Sequence, residues 1–189
     1  FYNVENLFDT INDVNKNDEA SPIMEMNYNR SKVYNKKLLN TSKVISGIGL
    51  EETKNLPTIV GLCEVENRKV IEDLITTGAL KDGNYGISHF DSPDERGIDN
   101  VLLYDQNKID IISDRPIRNN LPGGDKTRDV LYVQGRYRGE IIHIFVCHWP
   151  SRYGGVEKTA PKRAITAQLI VKEISSILSE DADAEIILL

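Results

Sequence analysis

The chain has 189 residues, 40% of them hydrophobic and 28% charged, which suits one domain with its own core and excludes disordered or fibrous classes. A formal net charge of −6 gives no general attraction for nucleic acid or anionic membrane, although a bound divalent cation can reverse the field locally. No apolar run approaches the roughly 20 residues that span a bilayer.

The elements follow in chain order. "FYNV" reads as a short strand entered without an initiator methionine, so an upstream leader is expected to have been removed. Residues 9–29 are acidic and poor in apolar groups and read as a surface loop. A helix is expected over 30–48, with Tyr34, Leu38, Val44, Ile45 and Ile48 mostly on one face and Gly47 and Gly49 at its end. "PTIVGLCEV" is a buried strand opened by Pro57, and a short helix over 67–80 takes Asn67 as its N-cap, with Gly78 near its stop. Three strands follow, "NYGISHF", "GIDNVLLYD" and "KIDIIS", then a loop over 116–126 centred on Pro122-Gly123-Gly124. "DVLYVQGRY" and "EIIHIFVCH" form a hairpin across Arg138-Gly139. A long amphipathic helix over 160–180 carries Ala167, Ile170, Ile174 and Ile177 as its buried stripe. "AEIILL" is a last strand that stops without a turn, so both ends read as cut. Strands joined partly as hairpins and partly through helices predict a mixed sheet system with helices outside. There is no repeat and no linker, so 1–189 reads as a single domain. Cys63 and Cys147 lie in apolar runs without metal-type spacing and read as buried free thiols.

Several strand ends carry chemistry, each with a plain structural alternative. Glu64 ends an almost wholly apolar strand, either as an exposed acid or as a ligand for a hard cation. Asn3 and Glu5 share one strand face by period two, as in any half-exposed strand. Arg96 and Asp99 stand at the mouth of a strand, as a phosphate fork with its neighbour or as an ion pair. Arg128 precedes another strand. His148 ends "EIIHIFVCH", four residues before Arg152, and could move a proton or simply cap a sheet. His89 and His143 read as structural, His143 facing with Phe145 and Cys147 away from His148. No P-loop, dinucleotide glycine signature or serine elbow is present.

Taken in order, "YNVENLFD", "GLCEVEN", "SPDERGIDNVLLY", "TRDVLYV" and "CHWPSR" resemble the endonuclease/exonuclease/phosphatase, or DNase I-like, family. The chain is most similar to a bacterial branch carrying "NVENLFD" and "HWPSR". The resemblance implies an α/β (α+β) fold, a four-layer α-β-β-α sandwich of two mixed β-sheets. It implies a phosphohydrolase dependent on Mg²⁺ or Mn²⁺ that cleaves phosphodiester or phosphomonoester bonds by attack of activated water, with no covalent intermediate. Glu64 is then the metal ligand, with Glu5 assisting a second metal. Asn3 and His148 are catalytic, and Arg96, Arg128 and Arg152 contact phosphate, with Asp99 counted among the substrate-binding residues as orienting Arg96 or the site network. The substrate is a phosphoester, either nucleic acid or a small molecule, the acidic balance favouring the latter; a monomer is expected. Two departures stand out. Cys147 replaces the asparagine usual before this histidine. The chain also stops before a "GDFN" motif and a later Asp-His pair, so the C-terminal part of the domain is expected to be missing and the 189 residues inactive alone. The alternative reading is a non-catalytic module that binds a phosphorylated ligand.

Overall fold

All eight strand-like runs form strands in the computed structural model, which describes residues 1–189, the side chain of Ala20 excepted. They sort into two four-stranded sheets. The first has the order β1 (Tyr2–Leu7), β2 (Ile59–Val65), β4 (Asp99–Asp105), β3 (Tyr85–His89). The second runs β5 (Ile109–Ile117), β6 (Val130–Tyr137), β7 (Glu140–Val146), β8 (Glu185–Leu188). Each sheet is mixed: β1 with β2 and β7 with β8 are parallel, and the other neighbours antiparallel. The parallel pairs are the ones separated in sequence by helices: α1 (Arg30–Gly47) and α2 (Leu50–Thr53) in the first sheet, α4 (Val156–Glu180) in the second. The remaining helix, α3 (Arg68–Ile75), follows β2 and is capped by Asn67, whose side chain accepts from the Val70 N–H.

Period-two alternation separates three apolar layers. Val60, Leu62, Val101 and Leu103 face outward with Leu38, Ile45, Ile71 and Leu74 of α1 and α3. Leu102 faces inward, where it meets Leu131, Val133, Ile144 and Val146 of the second sheet. Tyr132, Phe145 and Cys147 point out the other side and pack with Ile170 of α4. Helix, sheet, sheet, helix is thus the layer order, a four-layer α-β-β-α sandwich of two mixed sheets. Leu169, Ile174 and Ile177 join the α4 contact, so the expected stripe holds except that Ala167 gives way to Leu169.

Four boundaries differ from the sequence reading. α3 ends at Ile75 rather than reaching Leu80, and a separate 3-10 turn over Gly78–Asp82 follows it. β5 runs on through Pro116, which had been assigned to a loop; β5 is a sheet edge, where a residue lacking an N–H is tolerated. α4 begins at Val156 with Pro161 inside it, because the Thr159 N–H and Oγ1 both bond the Gly155 carbonyl and start the helix upstream. The segment 9–29 is not wholly superficial: Asp18, Ser21 and Ile23 are buried, Ile23 in the core beneath α1. Cys63 and Cys147 are free and buried, and burial pushes both thiols up to about 12, which leaves them unreactive.

The layer between the sheets is narrow, so truncating it should be costly. Leu102→Ala is expected to destabilise the protein by roughly 2–5 kcal/mol, read as a lowered urea midpoint with an unchanged slope. A shift under about 1 kcal/mol would mean that the sheets do not rely on this contact.

Candidate functional site

β2 is bulged against both of its neighbours. Asn3 pairs with Cys63 and Leu7 with Val65, so three residues of β1 stand opposite Glu64 alone. On its other side β2 pairs Cys63 with Asn100 and Val65 with Asp99, leaving Glu64 as the extra residue there too. The bulge places Glu5, Asn6 and Glu64 in the left-handed region, at φ of 55°, 60° and 65°. Such backbone is strained for side chains of this size and persists only where surrounding bonds enforce it. They do so here. The Asn3 side chain accepts the Glu5 N–H at 2.7 Å, Glu64 Oε2 accepts the Asn6 N–H at 3.1 Å, and Lys37 Nζ of α1 donates to the Glu5 and Asn6 carbonyls. Burial lowers the pKa of Lys37, against the pull of the Glu5 and Glu64 carboxylates nearby.

The bulge aims Glu64 across the sandwich. Its Oε1 lies 3.5 Å from His148 Nε2, where β7 of the second sheet has just ended. Both side chains are about one-fifth exposed, 18% and 19%. Burial, helped by the Arg128 charge and opposed by Glu64, depresses His148 to about 4, so the imidazole is neutral at pH 7. His148 Nδ1 is buried without a partner among the described residues.

Arg128 holds the chain that carries this histidine. Its guanidinium is buried and donates to the main-chain carbonyls of His148 and Trp149 at 3.3 and 2.8 Å, and to Asp94 Oδ2 at 3.2 Å. Asp94 also takes Arg96 through both oxygens. Burial raises the Asp94 pKa, but the bonds and charge of Arg96 and Arg128 outweigh it and hold the carboxyl below its ordinary value.

The sequence candidates therefore divide. Glu64 and His148 come together at the strand ends, and Asn3 and Glu5 lie on the β1 side of the same bulge. Arg96 is exposed and lines, with Asn6, a cavity of about 210 Å³ on the same edge. Arg152 is exposed beyond His148. Arg128 is committed to Asp94 and two carbonyls. Asp99 does not touch Arg96: its Oδ1 accepts the Ser92 N–H at 2.7 Å, and its Oδ2 lies 3.0 Å from His89 Nε2. Asp99 turns to the outer face because it shares that face with Val101, whereas its expected partner Arg96 is taken by Asp94 two residues away. Lys37, Asn6 and Asp94 were missed. Lys37 sits on α1 next to other lysine and asparagine positions, and nothing local marks it as half-buried against the bulge. A larger cavity, about 550 Å³, lies at the opposite end of the sheets beside Lys108 and Arg138 and includes none of these residues.

A family model described as endonuclease/exonuclease/phosphatase family matches residues 1–189. No curated protein matches the chain. Among solved structures, TDP2 from Caenorhabditis elegans superposes with a TM-score of 0.60 at 15% identity over 82% of this chain and 41% of that one. The human Nocturnin catalytic domain with bound sulfate anion gives 0.54 at 18% over 79% and 55%. ANGEL2, described as a 2′,3′-cyclic phosphatase, gives 0.53 at 14% over 79% and 41%. At such identities the likeness establishes the fold, and the chain spans about half the length of these structures.

The Asp94 pKa is depressed in the folded state, so its stabilisation is complete above its unfolded value near 3.9 and is lost as pH falls through the folded value. Asp94→Asn is expected to cost about 3–5 kcal/mol at pH 7 by leaving Arg128 buried and unpaired. The variant should also show a flatter acid side in a plot of urea midpoint against pH below about pH 4. An unchanged acid slope would show that this carboxylate is not the titrating partner.

Proposed function

The chain belongs to the endonuclease/exonuclease/phosphatase family, and from that membership we propose that it serves hydrolysis of a phosphoester bond, with Mg²⁺ or Mn²⁺ held at Glu64. The observation that carries this reading is the Glu64–His148 pairing across a strained double bulge. Glu64 fits a hard cation. Its carboxylate is partly buried, and among the described residues no lysine or arginine reaches ion-pair distance. His148, neutral, does not neutralise it. One oxygen is fixed by the Asn6 N–H, which orients the other. Asn3 and Glu5 offer further oxygen donors on the same bulge.

When bound, the cation supplies Lewis-acid stabilisation of the phosphate oxygens and acidifies a water molecule. The chain's own groups do the rest. Glu64 holds one side of the reacting phosphate's environment. The His148 imidazole, kept neutral by burial, presents Nε2 as a hydrogen-bond donor to a non-bridging oxygen rather than as a second positive charge. Arg128 positions this imidazole by fixing the main chain at 148 and 149 and does not itself reach the substrate. Arg96 and Arg152, both exposed, supply charge-assisted bonds to phosphate. Attack by water needs no protein nucleophile, in keeping with the two inert thiols.

The substrate class follows from the charge. A net charge of −6 and the internal use of Arg128 give a long polyanion little general attraction, which favours a small phosphoester over extended nucleic acid. No helix is long and apolar enough to cross a membrane.

In a full-length version of the protein, Glu64→Gln is expected to lower Mn²⁺-supported hydrolysis of bis(p-nitrophenyl) phosphate by roughly 100-fold or more. It should also weaken Mn²⁺ binding as read by electron paramagnetic resonance. Undiminished hydrolysis and binding in this variant would reject Glu64 as the ligand.

A further inference from the structure

A second group of ligating side chains lies on the outer face of the first sheet, away from Glu64. His89 ends β3, Asp99 opens β4, and Asp91 stands in the loop between them. One ligand atom from each of the three falls within 4.8 Å of the others. His89 and Asp99 are 3% exposed at the side chain, whereas Asp91 is exposed and has no hydrogen-bond or ion-pair partner among the described residues.

The His89–Asp99 contact alone reads as a hydrogen bond fastening β3 to β4. It leaves unexplained why Asp91 adds a second carboxylate to a pair that is already satisfied. The geometry of the pair is open to another use. Two donors each roughly 2.1 Å from one tetrahedral ion stand about 3.4 Å apart, so the 3.0 Å between His89 Nε2 and Asp99 Oδ2 opens by only a few tenths of an ångström to admit one. The other oxygen of Asp99 is fixed by the Ser92 N–H, the kind of outer bond that orients a ligating carboxylate.

The surroundings favour a cation independently of the triad. Asp91 lines a cavity of about 90 Å³ together with Asp13, Asp18 and Glu66. None of these four carboxylates forms an ion pair among the described residues. Asp18 is 1% exposed, and its Oδ1 is buried with no partner. The two cationic residues on the cavity wall are engaged elsewhere, Lys16 Nζ on the Ser92 carbonyl and Arg96 on Asp94. A buried unpaired carboxylate oxygen is costly unless a cation answers it.

We propose that His89, Asp91 and Asp99 form a second divalent-cation site, separate from Glu64 and selective for a transition metal of the Zn²⁺ type. An imidazole with two carboxylates suits Zn²⁺, whereas Mg²⁺ prefers oxygen donors and keeps its water. Three protein ligands with Asp91 at the surface leave a position for water or for a group from the acidic cavity. The site ties down the loop between β3 and β4. That loop carries Asp94 and Arg96, and through Asp94 it holds Arg128 and the main chain at His148. The role is structural and does not depend on the proposed hydrolysis.

The test separates the two sites. Metal-free Glu64→Gln protein is titrated calorimetrically with Zn²⁺, and its melting temperature is followed with and without the metal. One equivalent should bind, with a rise in melting temperature, and Mg²⁺ should give neither. Adding Asp91→Asn should weaken Zn²⁺ at least 10-fold and remove most of the rise, while leaving the metal-free melting temperature unchanged because Asp91 holds nothing else. His89→Gln, which keeps a donor for Asp99, should weaken Zn²⁺ similarly. Failure of Glu64→Gln protein to bind Zn²⁺, or an affinity unmoved by Asp91→Asn, would overturn the proposal.

Discussion

The arrangement at the strand ends rests on a strained piece of backbone. Glu5, Asn6 and Glu64 all hold left-handed dihedrals within one pair of neighbouring strands. Each costs on the order of 1–3 kcal/mol. The strain is confined because the residues flanking it are locked: Val4, Leu7 and Val65 are buried in the outer apolar layer and cannot rotate with it. A regular β2 would have alternated Glu64 onto the helix side among leucines and valines. The extra residue instead re-aims the carboxylate past the end of the sheet, where it meets a residue of the other sheet.

A second device couples the sheets at the same edge. Asp94 belongs to the loop between β3 and β4 of the first sheet, Arg128 to the segment between β5 and β6 of the second, and the carbonyls of His148 and Trp149 to the segment after β7. One buried guanidinium therefore bonds three separate stretches of chain. The thin layer of Leu102, Leu131, Val133, Ile144 and Val146 is nondirectional and would tolerate small slips of one sheet over the other. The planar fork of Arg128 does not, since its donors must meet fixed acceptors. The apolar layer supplies the attraction and the arginine the register.

Much of this was legible in the sequence because it follows from period. The strands, the hairpin at Arg138-Gly139 and the cap at Asn67 are local signals, and the two residues of the hairpin turn both have positive φ, 54° and 92°. Pairing Glu64 with His148 is not local; ordered motifs suggested it, and no spacing could have given the 3.5 Å. Three readings missed for one reason. Arg128 was read as a phosphate ligand, Asp99 as its neighbour's orienter, and Lys37 was passed over. In each case the partner is distant or on another layer, and a charged residue's sequence neighbours do not tell whether its charge is spent inside the protein. Likewise, Ile23 alone in a polar stretch gives no periodic signal, yet it anchors that stretch in the core.

Counting charge at the Glu64 edge explains why a cation belongs in the proposed mechanism. Glu5 and Glu64 bring two carboxylates to the bulge. Lys37 is the positive charge nearest them, and its ammonium is taken by two carbonyls. Arg128 is balanced by Asp94, and Arg96 shares that same carboxylate. Histidine would ordinarily be the remaining source, but burial beside Arg128 makes a second positive charge there unfavourable and keeps His148 neutral. A phosphate anion approaching this edge thus meets Glu64, with only the exposed Arg96, shared with Asp94, and Arg152 to offset the repulsion. The deficit supports the reading of Glu64 as a ligand for a hard divalent cation, because such an ion turns the same carboxylate from an obstacle into an anchor.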